Sequence, residues 1–184
     1  MNVIFLDVDG VLNGSHSSWE HLKMIREGIK TPNIDEDKIK ILSEISNELD
    51  CKIVLSTSWK LEKEYFDYEK EAYVFNKNLA YLLDLFDKYN IEFIGYTPNV
   101  GRYRKTINKD EMWKENDIRL YLYKHPEVEH FVVIDDETYD LKKLKDHLII
   151  TKYIGNSSSE EGLTINHKDE IRKILARENK YRRK

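Results

Sequence analysis

Two acidic pairs stand out because each directly follows a short apolar run: Asp7 and Asp9 after VIFL at 3–6, and Asp135 and Asp136 after FVVI at 131–134. Apolar runs rich in Val, Ile and Phe read as buried strands, so these acids lie where the chain leaves a sheet. Asp7 and Asp9 are two positions apart, which turns both carboxylates the same way, and Gly10 permits a sharp backbone turn after them. In an open parallel sheet the carboxyl ends of the strands share one edge, so the two pairs can meet. Two carboxylates about 4 Å apart repel by roughly 4 kcal/mol at an effective dielectric near 20, so the cluster requires a cation or bound protons. Hard oxygen ligands without nearby His or Cys favour Mg²⁺ over zinc, and a phosphate substrate follows.

The same DxDG tetrapeptide could open a calcium loop, but that loop would need glycine at position 12 and glutamate at position 18, where Leu12 and Ser18 stand. The run at 53–55 leads into Ser56, Thr57 and Ser58, hydroxyls able to donate to phosphate oxygens or, as is expected of Ser58, to cap a helix. Lys114 opens the helix before the second acidic pair, from where its ammonium can reach both phosphate and carboxylate.

Positioning these groups requires alternating strands and helices. Strands are expected at 3–6, 53–55, 91–94, 131–134 and 148–150, and helices near 36–49, 60–72, 77–89, 115–124 and 167–178. Connections of this length imply right-handed crossovers, hence an α/β fold with a mainly parallel sheet and helices on both faces rather than hairpins. If the fourth strand lies beside the first, the acids meet at a topological switch point. At 184 residues the chain suits a single domain, 1–184, and the irregular stretches 13–34 and 97–113 are candidate active-site flaps.

Hydrophobic residues at 40% and charged residues at 35% fit a soluble globular protein. A formal net charge of −4 gives no general attraction for nucleic acid or anionic membrane, so such contacts would have to be local. The lone Cys51 excludes an intrachain disulfide and fits the cytoplasm, while apolar runs of four residues are too short to span a membrane or form a signal peptide. No obligate protein partner is implied.

FLDVDGVLN (5–13), VLST (54–57), Lys114 before a helix and VVIDDE (132–137) together resemble the four ordered motifs of the haloacid dehalogenase (HAD) superfamily. LSTSW (55–59), KENDIRLYL (114–122) and GLT (162–164) further resemble the HAD domain associated with Swiss Army Knife RNA repair proteins. The resemblance implies a Rossmann-like three-layer sandwich and a phosphatase with Asp7 as nucleophile, Asp9 as general acid and base, and Lys114 as the stabilising cation. It further implies Mg²⁺ held by Asp7, Asp135 and the Asp9 carbonyl with help from Asp136, and a phosphate-binding hydroxyl at Ser56 or Thr57. Lys105 or Arg104 could take the place of Lys114. About 40 residues separate the first and second motifs, which leaves no room for a large cap and suits a bulky or macromolecular phosphate. The expected substrate is a phosphomonoester, either a small molecule or a nucleic-acid end. Two rivals remain: a phosphate- or metal-binding module without turnover, and a receiver-type domain that stores phosphate.

Overall fold

The computed structural model describes residues 1–14, 22–24, 26–27, 32–62, 64–67, 72–75, 77–99, 113–153 and 161–181, and of 61–77 the backbone alone. The strands are β1 (Asn2–Leu6), β2 (Cys51–Leu55), β3 (Glu64–Asp67), β4 (Ala72–Phe75), β5 (Phe93–Tyr96), β6 (His130–Asp135) and β7 (Leu148–Ile150). The α-helices are α1 (Glu36–Glu48), α2 (Lys77–Lys88), α3 (Trp113–Lys124) and α4 (Lys168–Leu175).

Five strands form one parallel sheet in the order β5-β2-β1-β6-β7. The chain therefore builds outward from β1 through β2 to β5, then crosses back to place β6 on the other side of β1, as the switch-point topology requires. Side-chain alternation divides the core into two layers. Ile4, Leu6, Ile53 and Ile134 pack with Ile39, Leu42 and Ile45 of α1, Leu82 and Phe86 of α2 and Ile171 of α4. Val3, Phe5, Val54 and Val133 face the other way, against Ile118, Tyr121 and Leu122 of α3. The result is the three-layer α/β/α sandwich, with no large cap among the described residues.

Local signals explain the helix ends. The Asp35 carboxylate accepts the Asp37 N–H at 2.9 Å to start α1, and Glu36 and Asp37 complement the dipole of its first turn. Asp50, at φ +49, turns the chain directly into β2.

Several expectations need correction. The described residues of the stretch 60–72 are not α-helical: a 3₁₀ turn, Ser58–Glu62, precedes β3, which pairs antiparallel with β4 from Glu64 with Phe75 to Asp67 with Ala72. The segments EYFD and AYVF are rich in aromatic residues, which suit a pleated strand, and their cross-strand pairing decides for the sheet. The strand expected at 91–94 runs Phe93–Tyr96, because the pairing with β2 is offset between Ile53 and Val54 and Ile91 is spent in the core. The last helix is confined to Lys168–Leu175 behind a 3₁₀ turn, Ile165–His167. Most of 13–34, residues 100–112 of the second proposed flap and the alternative cations Arg104 and Lys105 lie outside the described residues. Among the described residues no helix is long and apolar enough to cross a membrane.

Candidate active site

The parallel register determines what meets at the carboxyl edge of the sheet. Leu6 pairs with Leu55 on one side and with Ile134 on the other, so the residues that follow, Asp7, Ser56 and Asp135, emerge side by side. Backbone hydrogen bonds continue past the strand ends: the Asp7 N–H donates to the Ile134 carbonyl at 3.0 Å, and the Ser56 N–H to the Leu6 carbonyl at 2.8 Å. Asp7, Asp135 and Asp136 each offer a carboxylate oxygen, and all these oxygens lie within 4.8 Å of one another.

Lys114 reaches into this group. Its Nζ donates to Asp7 Oδ2 at 2.9 Å and to Asp135 Oδ2 at 2.6 Å, while the other Asp135 oxygen accepts the Glu137 N–H at 3.0 Å. The lysine is aimed by its helix: α3 begins at Trp113, and the Asp140 carboxylate accepts the Lys114 N–H at 2.8 Å as a cap from a distant segment.

Gly10 is required by space as well as by its φ of +70, since a Cβ there would come within 2.3 Å of the Asp136 carboxyl. Its N–H donates to Asn13 Oδ1 at 2.9 Å and its carbonyl accepts the Thr151 hydroxyl at 2.8 Å, which fastens the turn to the end of β7. Asp9 stands exposed beyond this turn, with Oδ1 accepting from Asn13 Nδ2 and Oδ2 from Trp59 Nε1, both at 2.9 Å.

The electrostatics show a deficit of positive charge. Burial pushes the Asp135 carboxyl up to about 7, with Lys114 opposing and the Asp7 charge adding to the shift. Asp136 is raised by burial and by Asp7. Burial works against the charge on Lys114, but Asp7 and Asp135 together outweigh it and hold the ammonium above its ordinary range. Among the described residues one ammonium thus serves three clustered carboxylates. Such a hard-oxygen set with surplus negative charge fits Mg²⁺.

Asp7, Asp9, Lys114, Asp135 and Asp136 line one open cavity of about 300 Å³, joined by Ser58 and Tyr139. Ser56 and Thr57 are both 1% exposed. The Ser56 hydroxyl, buried beside Asp7, has no hydrogen-bond partner among the described residues, whereas Thr57 Oγ1 accepts the Trp59 N–H at 3.4 Å. An orphaned buried hydroxyl is costly unless a ligand satisfies it, which favours Ser56 over Thr57 as the donor to substrate. Ser58, expected to be a cap, is exposed at the cavity instead.

Sequence reasoning missed Asn13, Trp59, Asp140 and Lys60. The Lys60 Nζ donates to Thr97 Oγ1 at 2.6 Å, Asp117 Oδ2 at 2.8 Å and the Pro98 carbonyl at 3.1 Å, tying the ends of β2 and β5 to the first turns of α3. Burial lowers its pKa, with Asp117 opposing. Asn13 carried a signal, as an amide three residues after Gly10 can close the turn that the glycine opens. The other three act on partners 26 or more positions away in the chain, which no local pattern marks.

A family model described as "HAD domain in Swiss Army Knife RNA repair proteins" matches residues 3–167, which span β1 to the start of α4. Neither the comparison with curated proteins nor that with solved structures gives a match.

Proposed function

The chain belongs to the HAD domain family of Swiss Army Knife RNA repair proteins, a HAD-type phosphohydrolase family, and from that premise we propose that it hydrolyses a phosphomonoester through an aspartyl phosphate on Asp7. The observation that carries this reading is the cavity on which a nucleophile, a separately held carboxyl and an ammonium converge: Asp7, Asp9 and Lys114.

In the first half-reaction an Asp7 oxygen attacks phosphorus in line, and the bond from phosphorus to the ester oxygen breaks as Asp9 gives its proton to that oxygen. The alcohol leaves. In the second, Asp9 takes a proton from water as the water oxygen attacks phosphorus, inorganic phosphate departs and the Asp7 carboxylate is restored. Proton transfer of this kind is worth ~10² to 10⁴ in rate. Lys114 neutralises charge on the transferring phosphoryl group, and the free Ser56 hydroxyl donates to one of its oxygens. Asp7, Asp135 and the Asp9 carbonyl, assisted by Asp136, would hold Mg²⁺, which when bound supplies further positive charge against the phosphoryl oxygens.

The family description and the lack of a large cap among the described residues support a nucleotide or nucleic-acid end as substrate. A metal-dependent screen of 5′- and 3′-phosphorylated oligonucleotides, mononucleotides and sugar phosphates tests the choice. Turnover of an oligonucleotide end that vanishes in chelator and in Asp7→Asn is the expected result. Normal turnover by Asp7→Asn would refute the nucleophile assignment, and exclusive action on sugar phosphates would refute the substrate.

A further inference from the structure

Asp9 differs from the other acids of the site in how it is held. Asp7 and Asp135 are buried among charges, whereas Asp9 is exposed and would, left alone, sample several rotamers. Instead each of its oxygens accepts one N–H, and the two donors come from different parts of the chain. Asn13 Nδ2 reaches Oδ1 from the turn after β1, and Trp59 Nε1 reaches Oδ2 from the 3₁₀ turn after β2.

Both donors rest on rigid supports. The Asn13 amide is itself oriented by the Gly10 N–H and the Asn33 carbonyl, at 2.9 and 3.2 Å. The Trp59 ring packs against the core layer that holds α1 and α2, so its N–H is presented by a side chain that cannot swing freely. Two donors on two oxygens fix the plane of a carboxyl group as well as its position. Holding a cation through the Asp9 carbonyl requires neither. Proton delivery to a particular oxygen does, because its efficiency depends on the orientation of the acid.

We propose that Trp59 is the positioning residue of the general acid: its indole N–H holds the Asp9 carboxyl in the orientation from which the leaving oxygen is protonated. This inference rests on the phosphatase reading and deepens it. Its consequence is selective. An alkoxide leaves phosphorus with difficulty unless protonated, whereas nitrophenolate leaves readily without a proton, so the contribution of Trp59 depends on the leaving group.

The test compares wild type, Trp59→Phe, Asp9→Ala and the double variant on an alkyl phosphate and on p-nitrophenyl phosphate. Phenylalanine retains most of the packing and removes the N–H. Trp59→Phe should lower kcat/KM, which reads the step in which the leaving oxygen is protonated, about tenfold on the alkyl ester, and the loss on the aryl ester should be at least about fivefold smaller. In the Asp9→Ala background the same substitution should cost less than about twofold, since the two residues act as one unit. Equal losses on both esters, or additive losses in the double variant, would overturn the inference while leaving the phosphatase reading intact. A wild type that turns over neither ester would bring down both. A readout independent of turnover is the indole N–H resonance of Trp59, identified among those of the three tryptophans by its absence from Trp59→Phe. It should move in Asp9→Ala, and an unmoved signal would show that the contact is absent.

Discussion

Two clusters of the same side-chain types sit in different surroundings. At the carboxyl edge of the sheet, Lys114 bridges Asp7 and Asp135, whose side chains are 11% and 0% exposed. On the outer surface between α1 and α4, Lys168 bridges Glu44 and Glu48 at 3.0 and 2.9 Å, and Arg172 joins Glu48 and Asp169, but these acids are 44% to 77% exposed. The distances are alike and the consequences are not. Water screens the outer network, so its charges cost little and contribute little. The inner cluster is desolvated, which raises the Asp135 and Asp136 carboxyls and, among the described residues, leaves the group short of positive charge. That shortage is what a cation and a phosphoryl transfer can use.

Substitutions can break or sharpen this contrast. Lys114→Met should lower kcat by about 10² to 10³, the effect of deleting one preorganised donor to developing charge; a steady-state measurement showing less than a tenfold loss would mean that another cation serves the site. Lys60→Met tests the buried latch beside it. Removing the ammonium breaks the buried contact of Lys60 with Asp117 at 2.8 Å, and urea unfolding should show a loss of about 3 kcal/mol.

The next effect depends on pH. In the folded protein the Asp135 carboxyl is raised from 3.8 to about 7, so between those values the native state holds a proton that the unfolded chain has released. Stability from this group is therefore present at low pH and lost as pH rises towards 7, the reverse of the usual aspartate. In chelator, wild type should lose about 2 kcal/mol more than Asp135→Asn between about pH 4 and pH 7, and Mg²⁺ should abolish that difference. Parallel curves for the two proteins would show that Lys114 already balances the cluster. Last, Lys168→Ala should leave the urea midpoint unchanged, since its two acids remain hydrated; a clear drop would mean that the outer network is coupled after all.

How much of this was legible beforehand differs from residue to residue. Asp7 and Asp135 were visible because an apolar run followed by an acid is a local pattern, and strand alternation extends it. α1 was visible through the acidic residues Asp35 to Asp37, suited to a helix start, and the spacing of Ile39, Leu42 and Ile45. β3 falls within the stretch 60–72 expected to be a helix, and β4 lies almost wholly outside any expected element, because only the mutual pairing of EYFD and AYVF decides for strands. Ser56 and Thr57 were chemically equivalent in sequence. Their separation came from burial: the Ser56 hydroxyl has no partner among the described residues, while Thr57 accepts the Trp59 N–H.

The order of residues by itself determined where acids follow strands, that strands and helices alternate, and hence that carboxylates reach one edge of a parallel sheet. Tertiary structure alone decided that Trp59 and Asn13 grip Asp9, that Asp140 caps the helix bearing Lys114, and that Lys60 ties three segments together. The physical reason is range. Periodicity, turns and caps are set by neighbours a few residues apart, whereas a hydrogen bond such as that from Trp59 to Asp9 exists only once packing has brought distant parts of the chain within about 3 Å.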